Sequence, residues 1–320
     1  MEYKWVTEKR SKEKRINKSM FIIGSIIILI VFVIVYNIEL NKTVVVIKQD
    51  VVIENLSNEF EGFTILQISD LHSSTFGENQ EVLINLINNE NYDIIAFTGD
   101  MMQKDDDNYK AFLDLLNGIN KSDSSFYLAG NNGPFVFESE EFRFNYESSK
   151  DLVLTEDGKI LKGYGLKFMD DVYSIVRGES TLWISELISS KEFEEKTLGQ
   201  AKDEDIKIAL THYPMNESIY CNGSIDIPDY NLVIAGHYHG GQWRIPLLGA
   251  VFISDVNGSP WFPSKERVSG LAKWGDYYQY VSRGLGASGD YKWMRFRLFN
   301  KPEINLIRLT NKKVNIWKIK

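Results

Sequence analysis

The chain has 320 residues, 43% hydrophobic and 25% charged, a globular composition with room for one large domain or two small ones. One cysteine, Cys221, excludes an intramolecular disulfide and a cysteine-based zinc cluster. The net charge of −8 is uneven: residues 1–19 hold seven Lys/Arg and three Glu, so the remainder carries −12 and lacks the basic stripe of a nucleic-acid binder.

Residues 20–36 contain no charge. As a helix they span about 25 Å, and with Ile38 and Leu40 nearby they are long enough to cross a bilayer. A buried core helix and a cleaved signal peptide have the same composition. A signal peptide, however, needs a small-x-small cleavage site after its apolar run, and Tyr36-Asn37-Ile38-Glu39-Leu40 offers none. An uncleaved signal anchor is expected. The positive flank precedes the span, so the N-terminus stays in the cytoplasm and the chain after residue 37 lies outside it, single-pass on the cell membrane. The expected parts are a cytoplasmic basic tail (1–19), a transmembrane anchor (20–36), a linker with a leading strand (37–55) and one body domain (56–320).

Residues 43–54 are β-rich and predict a strand or hairpin; 59–62 is a turn. The apolar run Ile65, Leu66, Ile68 predicts a buried strand that ends in Asp70-Leu71-His72. Residues 77–91 predict a helix with Val82, Leu83, Leu86 and Ile87 on one face, and 92–97 the next strand, ending in Thr98-Gly99-Asp100. Residues 108–119 form a second amphipathic helix, and 125–129 a third strand before Gly130-Asn131-Asn132-Gly133. Alternating strands and helices predict βαβ units, a largely parallel sheet and an α/β class. Residues 138–172 read as an exposed helical piece followed by short strands, with a turn at Asp157-Gly158, and 186–200 as a charged surface helix. Strands are expected at 207–210, ending in Thr211-His212, and at 231–235, ending in Gly236-His237-Tyr238-His239. Further strands are expected at 277–282, 295–299 and 304–309.

In parallel sheets ligands bind beyond the carboxyl ends of strands. Residues two apart on a strand point the same way, so Asp70 and His72 are expected to reach one point just past the strand end. A D-x-H triplet alone occurs by chance in many chains. All four histidines of this chain, His72, His212, His237 and His239, however, fall in strand-end loops. With Asp70, Asp100 and Asn131 they make seven N/O donors, enough for two metals sharing a bridging carboxylate.

Read in order, Asp70-x-His72, Gly99-Asp100, Gly130-Asn131, His212 and Gly236-His237-x-His239 resemble the motifs of the calcineurin-like metallophosphoesterase family. The Gly-His-x-His-Gly-Gly-Gln form, the N-terminal anchor and Ser282-Arg283-Gly284-Leu285-Gly286 are similar to its membrane-anchored branch. The resemblance implies a four-layer α/β/β/α sandwich of two mixed sheets behind one N-terminal transmembrane helix. It also implies two divalent metal ions (Mn, Fe, Zn or Ni). Asp70, His72 and His239 would hold one and Asn131, His212 and His237 the other, with Asp100 bridging, and a bridging hydroxide would attack a phosphodiester or phospholipid-like substrate. Gly240 and Gly241 leave room near such a site or form an ordinary tight turn. Arg283 is a phosphate contact or, more commonly for such a residue, a structural arginine.

The family places a histidine directly after the Asn of its third motif, to protonate the leaving group or stabilise the transition state. Here that catalytic position is Asn132. An amide donates hydrogen bonds but is no acid near pH 7. Three explanations fit: a slow enzyme relying on metals, a leaving group that needs no proton, or loss of hydrolysis. An engineered substitution is a fourth. The expected function is thus a membrane-anchored metal-dependent phosphoesterase acting on a phosphorylated small molecule, lipid or envelope polymer. The alternative is a catalytically weak or inactive metal-binding module that recognises a phosphorylated envelope ligand. A purely structural envelope protein is disfavoured by the seven-donor set.

Overall fold

The computed structural model describes residues 2–106, 108–120, 124–138, 153–215, 226–253, 260–275 and 277–312. A long helix, α1 (Glu2–Lys42), leads the chain, and its stretch Lys18–Lys42 is long and apolar enough to cross a membrane.

Two six-stranded sheets follow. The first has the order β1 (Val45–Val52), β14 (Glu303–Thr310), β2 (Thr64–Ile68), β3 (Ile94–Thr98), β4 (Ser125–Leu128), β5 (Leu166–Phe168). Its pairs are parallel except β14 against β2. The second has the order β12 (Gly270–Trp274), β13 (Tyr277–Val281), β9 (Leu232–Ala235), β8 (Ile206–Leu210), β7 (Ser180–Glu186), β6 (Tyr173–Arg177), with antiparallel pairs at both edges. A short hairpin of β10 (Arg244–Ile245) and β11 (Gly249–Ala250) lies apart from both sheets.

Alternation along the strands builds the layers. Ile65, Ala96 and Phe126 from the first sheet pack against Leu182, Ile208, Leu232 and Ile234 from the second, forming the core between the sheets. The intervening residues Leu66, Ile95, Phe97 and Tyr127 face outward. They meet α2 (Glu81–Asn88) and α3 (Lys110–Gly118) through Leu83, Ile87, Phe112 and Leu115. On the far face Trp183, Ala209 and Val233 pack on Phe193 of α5 (Ser190–Thr197). Each fully buried Leu, Ile or Phe contributes roughly 1.5–3 kcal/mol. This is the expected α/β/β/α sandwich.

Several local expectations change. Of the strand or hairpin expected at 43–54 the strand forms, as β1 over Val45–Val52 paired with β14. The 77–91 helix starts late: Asn79 and Gln80 take left-handed backbone, and buried Gln80 bonds Phe76 N, Ser74 O and Ala111 O, so α2 begins only at Glu81. Asp157-Gly158 is no turn. It lies in α4 (Glu156–Gly163), because Thr155 caps that helix by accepting from Gly158 N at 2.9 Å. Most of the helical piece expected after residue 138 falls outside the described residues. The charged helix at 186–200 shrinks to α5, since 180–186 forms β7 of a hairpin with β6.

Residues 295–299 are not a strand. Buried Arg297 turns its guanidinium onto the carbonyls of Gly286, Arg283 and Asn300, and those bonds replace a ladder. Beyond the strands, α6 (Lys265–Val268) precedes β12.

Candidate metal centre

Five loops meet at one end of the sandwich. Three follow the adjacent strands β2, β3 and β4, and two follow the adjacent strands β8 and β9. Buried Gln67 fastens the sheets just beneath, donating to Thr98 Oγ1 at 2.9 Å and across to Ala235 O at 2.8 Å.

Strand alternation does not bring Asp70 and His72 together. β2 stops at Ile68, and both residues sit in the turn beyond it with φ of 53° and 45°. Asp100 (59°), His237 (72°) and His239 (50°) are also left-handed. This backbone costs non-glycine residues on the order of 1 kcal/mol or more each and is retained where surrounding structure enforces it. The enforcement is visible. Asp70 N donates to Gly99 O, His72 N to Asp100 O, and Gly286 N to Asp70 O, at 2.9, 3.0 and 2.6 Å. Gly284 presses on the same loop, and a Cβ there would lie 2.7 Å from Asp70 Cβ. The Ser282–Gly286 motif therefore backs the Asp70 turn. At Gly99 a Cβ would come within 2.5 Å of His212 Nδ1.

The structure brings all seven donor residues together. His72 Nε2 and His239 Nε2 are 3.2 Å apart, and His239 Nε2 is 3.6 Å from Asp70 Oδ1. His212 Nε2 lies 2.9 Å from Asn131 Oδ1 and 3.2 Å from His237 Nδ1. Asp100 Oδ2 stands between the groups, 3.5 Å from His72 Nε2 and 3.4 Å from His212 Nε2. Two overlapping triplets, Asp70–His72–His239 and Asp70–Asp100–His212, each have donor atoms within 4.8 Å of one another, all on buried residues.

The donor set calls for a cation. His212 Nδ1–H donates to Thr98 O at 2.9 Å, which turns its Nε2 toward the oxygens of Asp100 and Asn131. Burial acts against charge on that ring, but the Asp100 carboxylate outweighs it and raises His212 to about 9, so positive charge at Nε2 is stabilised. Burial likewise disfavours the Asp100 anion, but His212 and His72 hold it well below the carboxylate range. Burial raises Asp70 to about 6, with His212 opposing. It lowers His72 to about 4 and pushes His239 well below its usual value, leaving both rings neutral and able to offer a lone pair. Buried oxygens and neutral imidazoles converging on one volume fit divalent metal ions.

Asn132 faces inward. Its Nδ2 donates to Asp100 Oδ2 at 2.5 Å, and the backbone N–H groups of Asn131 and Asn132 both donate to Oδ1 at 2.8 Å. Arg283 is structural: its side chain and backbone N–H bind Glu303 of β14. Gly240 and Gly241 make a tight turn packed against Arg283 and Ala250.

Sequence reasoning missed the supports behind the donors. Ser69 Oγ donates to Asp70 Oδ2 at 2.6 Å, Asn300 Nδ2 donates to His239 O at 2.7 Å, and Arg297 Nη2 reaches the same carbonyl at 3.3 Å. Only Ser69 carried a signal, its place beside Asp70; Arg297 and Asn300 come from a segment read as a strand and its end.

The family model described as calcineurin-like phosphoesterase matches residues 63–241, which hold all seven donors and Asn132. The uncharacterized metallophosphoesterase YkuE of Bacillus subtilis is 27% identical over 268 residues, 78% of this chain and 80% of that protein. The uncharacterized metallophosphoesterase Cj0846 of Campylobacter jejuni is 27% identical over 293 residues, 90% of this chain and 70% of its own. The phosphodiesterase YaeI of Escherichia coli is 25% identical over 261 residues, 77% of this chain and 82% of its own. With the donor cluster in place and more than half of the sequence matched, this chain belongs to the calcineurin-like phosphoesterase family and is a metal-dependent phosphoester hydrolase.

Proposed function

We propose that the chain is a membrane-anchored two-metal phosphodiesterase working on the outer side of the cytoplasmic membrane. The observation that carries this reading is the position of Asp100 Oδ2, 3.4–3.5 Å from one histidine of each donor group. Asp70, His72 and His239 would hold one ion and Asn131, His212 and His237 the other, with Asp100 shared. When bound, a pair of divalent ions supplies Lewis-acid charge and a water acidified to near neutral pH.

The chain's own residues set the rest. Thr98 O fixes the tautomer of His212. Three donors from Asn131 and Asn132 hold the Asp100 carboxylate in one orientation. Asn132 has no proton to give a leaving group near pH 7, so the reading favours esters whose leaving group departs as an anion, or slow turnover. A phosphodiester agrees with the phosphodiesterase name of its relative YaeI. The helix Lys18–Lys42 and the basic stretch before it support anchoring with the body outside the cytoplasm. A phosphorylated small molecule, lipid or envelope polymer fits that placement.

The test is hydrolysis of bis-p-nitrophenyl phosphate by the purified full chain with Mn added and metal content quantified, against Asp100→Ala. Turnover that requires both metal and Asp100 supports the reading. Two bound ions without turnover would point to a phosphate-recognising module instead.

A further inference from the structure

The end of α1 is bolted to the body. Asn37 Oδ1 accepts from Phe299 N at 2.7 Å, Asn41 Nδ2 donates to Arg297 O at 2.8 Å, and Arg297 N donates back to Asn41 Oδ1 at 3.2 Å. The Tyr36 and Phe299 rings meet at 6.1 Å. Between this docked end and the body runs a groove of about 610 Å3.

Its two walls are apolar, Val33, Ile34 and Ile38 on α1 and Phe76, Leu285 and Phe296 on the body. Ser73, Ser74, Thr75 and Gln103 add polar groups to the lining. Lys42, Arg295 and Arg297 also line it, and no carboxylate does among the described residues. Lys42 pairs with Glu39 and Arg295 with Asp105, but both acids lie outside the lining. Arg297 is buried with its guanidinium on backbone carbonyls and Arg295 is largely covered in its pair, so the cation open to a headgroup is Lys42, whose side chain is 65% exposed.

One side of the groove is built from the loop that follows His72, although none of the seven donors lines it. Ser73 and Ser74 directly follow His72, and Arg297 bonds the carbonyl of His239. Residues of α1 from Met20 to Val35 are largely exposed, as a lipid-facing helix requires. In the turn that leads into Arg295, Tyr291 and Trp293 stack at 6.3 Å and stand 63% and 70% exposed. Exposed Tyr and Trp next to an emerging span are the composition of a membrane–water boundary.

We propose that this groove binds a bilayer phospholipid with an anionic headgroup, its acyl chain along Val33, Ile34 and Ile38 and its phosphate toward Ser74 and Lys42. The bound lipid would sit where the body meets the outer membrane surface, beside the metal centre rather than in it, so the proposal goes beyond the phosphoesterase reading and rests on reading α1 as an anchor. An acyl chain gains from both apolar walls, and the headgroup gains from exposed Lys42. A water-soluble phosphate would leave those walls unused.

The experiment uses the full chain in phosphatidylcholine nanodiscs containing phosphatidylglycerol with a diazirine in its acyl chain. After irradiation, adducts are mapped by mass spectrometry. Adducts on the body wall at 285–298 and at 73–76 are expected, in addition to those on α1. A diazirine diacylglycerol without phosphate should label the wall about fivefold less, the effect of losing one headgroup–cation contact. Ile38→Trp, which fills the groove from the α1 side, should lower wall adducts by a similar factor while bound metal per chain is unchanged. Adducts confined to α1 and the exposed rings, or equal labelling by both probes, would overturn the groove. Metal-dependent turnover of bis-p-nitrophenyl phosphate in the same preparation reads the site separately. Turnover without wall adducts removes the groove alone, and wall adducts without turnover support lipid binding while removing the phosphodiesterase reading.

Discussion

The side-chain amide of Asn132 donates to Asp100 Oδ2 at 2.5 Å, the oxygen that stands between His72 and His212. At the position where the family resemblance leads one to expect a histidine, the side chain is here a restraint on the Asp100 carboxylate. Asn132→His restores an acid at that position and should raise turnover of bis-p-nitrophenyl phosphate, with a larger gain on an alkyl phosphodiester, toward the lower end of the 10²–10⁴ range of a positioned acid. Steady-state rates on both substrates check this. No gain on either would show that the missing acid does not limit the enzyme.

Ser69 offers a cleaner probe of the donors, because it touches Asp70 and is itself no ligand. Ser69→Ala should weaken metal binding by about 10–100-fold, as loss of a bond behind a ligating group typically does. Titration with Mn followed by calorimetry measures it, and circular dichroism confirms the fold. Unchanged affinity would place Asp70 outside the first coordination sphere.

Removal of metal should silence the enzyme without unfolding it. The sandwich core is built from apolar layers that include none of the donors, and Leu71 and Met101 pin the donor loops to it. Chelation is therefore expected to abolish hydrolysis while the far-ultraviolet spectrum persists, with activity returning on addition of divalent ions. A chelated chain that loses its secondary structure would show that the metals hold the fold as well as the chemistry.

Glu186 links stability to pH away from the metal centre. Burial raises its pKa to about 7, with Lys196 opposing and Glu192 adding to the rise. A carboxyl with a raised folded pKa keeps its proton in the fold after the unfolded chain has lost it. Stability should therefore fall as pH rises from the ordinary glutamate range to about 7, by up to about 1.4 kcal/mol per unit, and level off above. Glu186→Gln should raise the melting temperature at pH 8 and leave it little changed at pH 4.5. Equal shifts at both pH values would rule out this linkage.

Thr155 tests the helix that replaced an expected turn. Its Oγ1 accepts from Gly158 N and donates to Phe135 O at 2.7 Å. Thr155→Ala should cost about 1 kcal/mol, readable by urea denaturation, whereas Thr155→Asn should recover part of it.

Much of the fold was legible because burial imposes a period. Ile65 and Leu66, and likewise Ile94 to Phe97, are apolar at consecutive positions since their strands are covered on both faces. The expected turn at Asp157-Gly158 failed because a local Asp-Gly preference is weak beside a capped helix. The strand expected at 295–299 failed because a buried arginine that bonds carbonyls leaves no periodic trace.

The sequence by itself determined which residues could make the site: four histidines, two aspartates and an asparagine, each just past an apolar run, in an order specific enough to name a family. It also determined that Asn132 departs from that order and that residues 20–36 are apolar enough to span a bilayer. Only the tertiary structure decided how the donors converge. They meet through left-handed turns braced by Gly284, Gly286 and Gly99, and those contacts join segments more than a hundred residues apart. The tertiary structure alone also turned Asn132 onto Asp100 and docked the end of α1 beside the His72 and His239 loops. Periodicity records which side of an element is buried, while the direction of a side chain in a loop depends on whatever the distant chain packs against it.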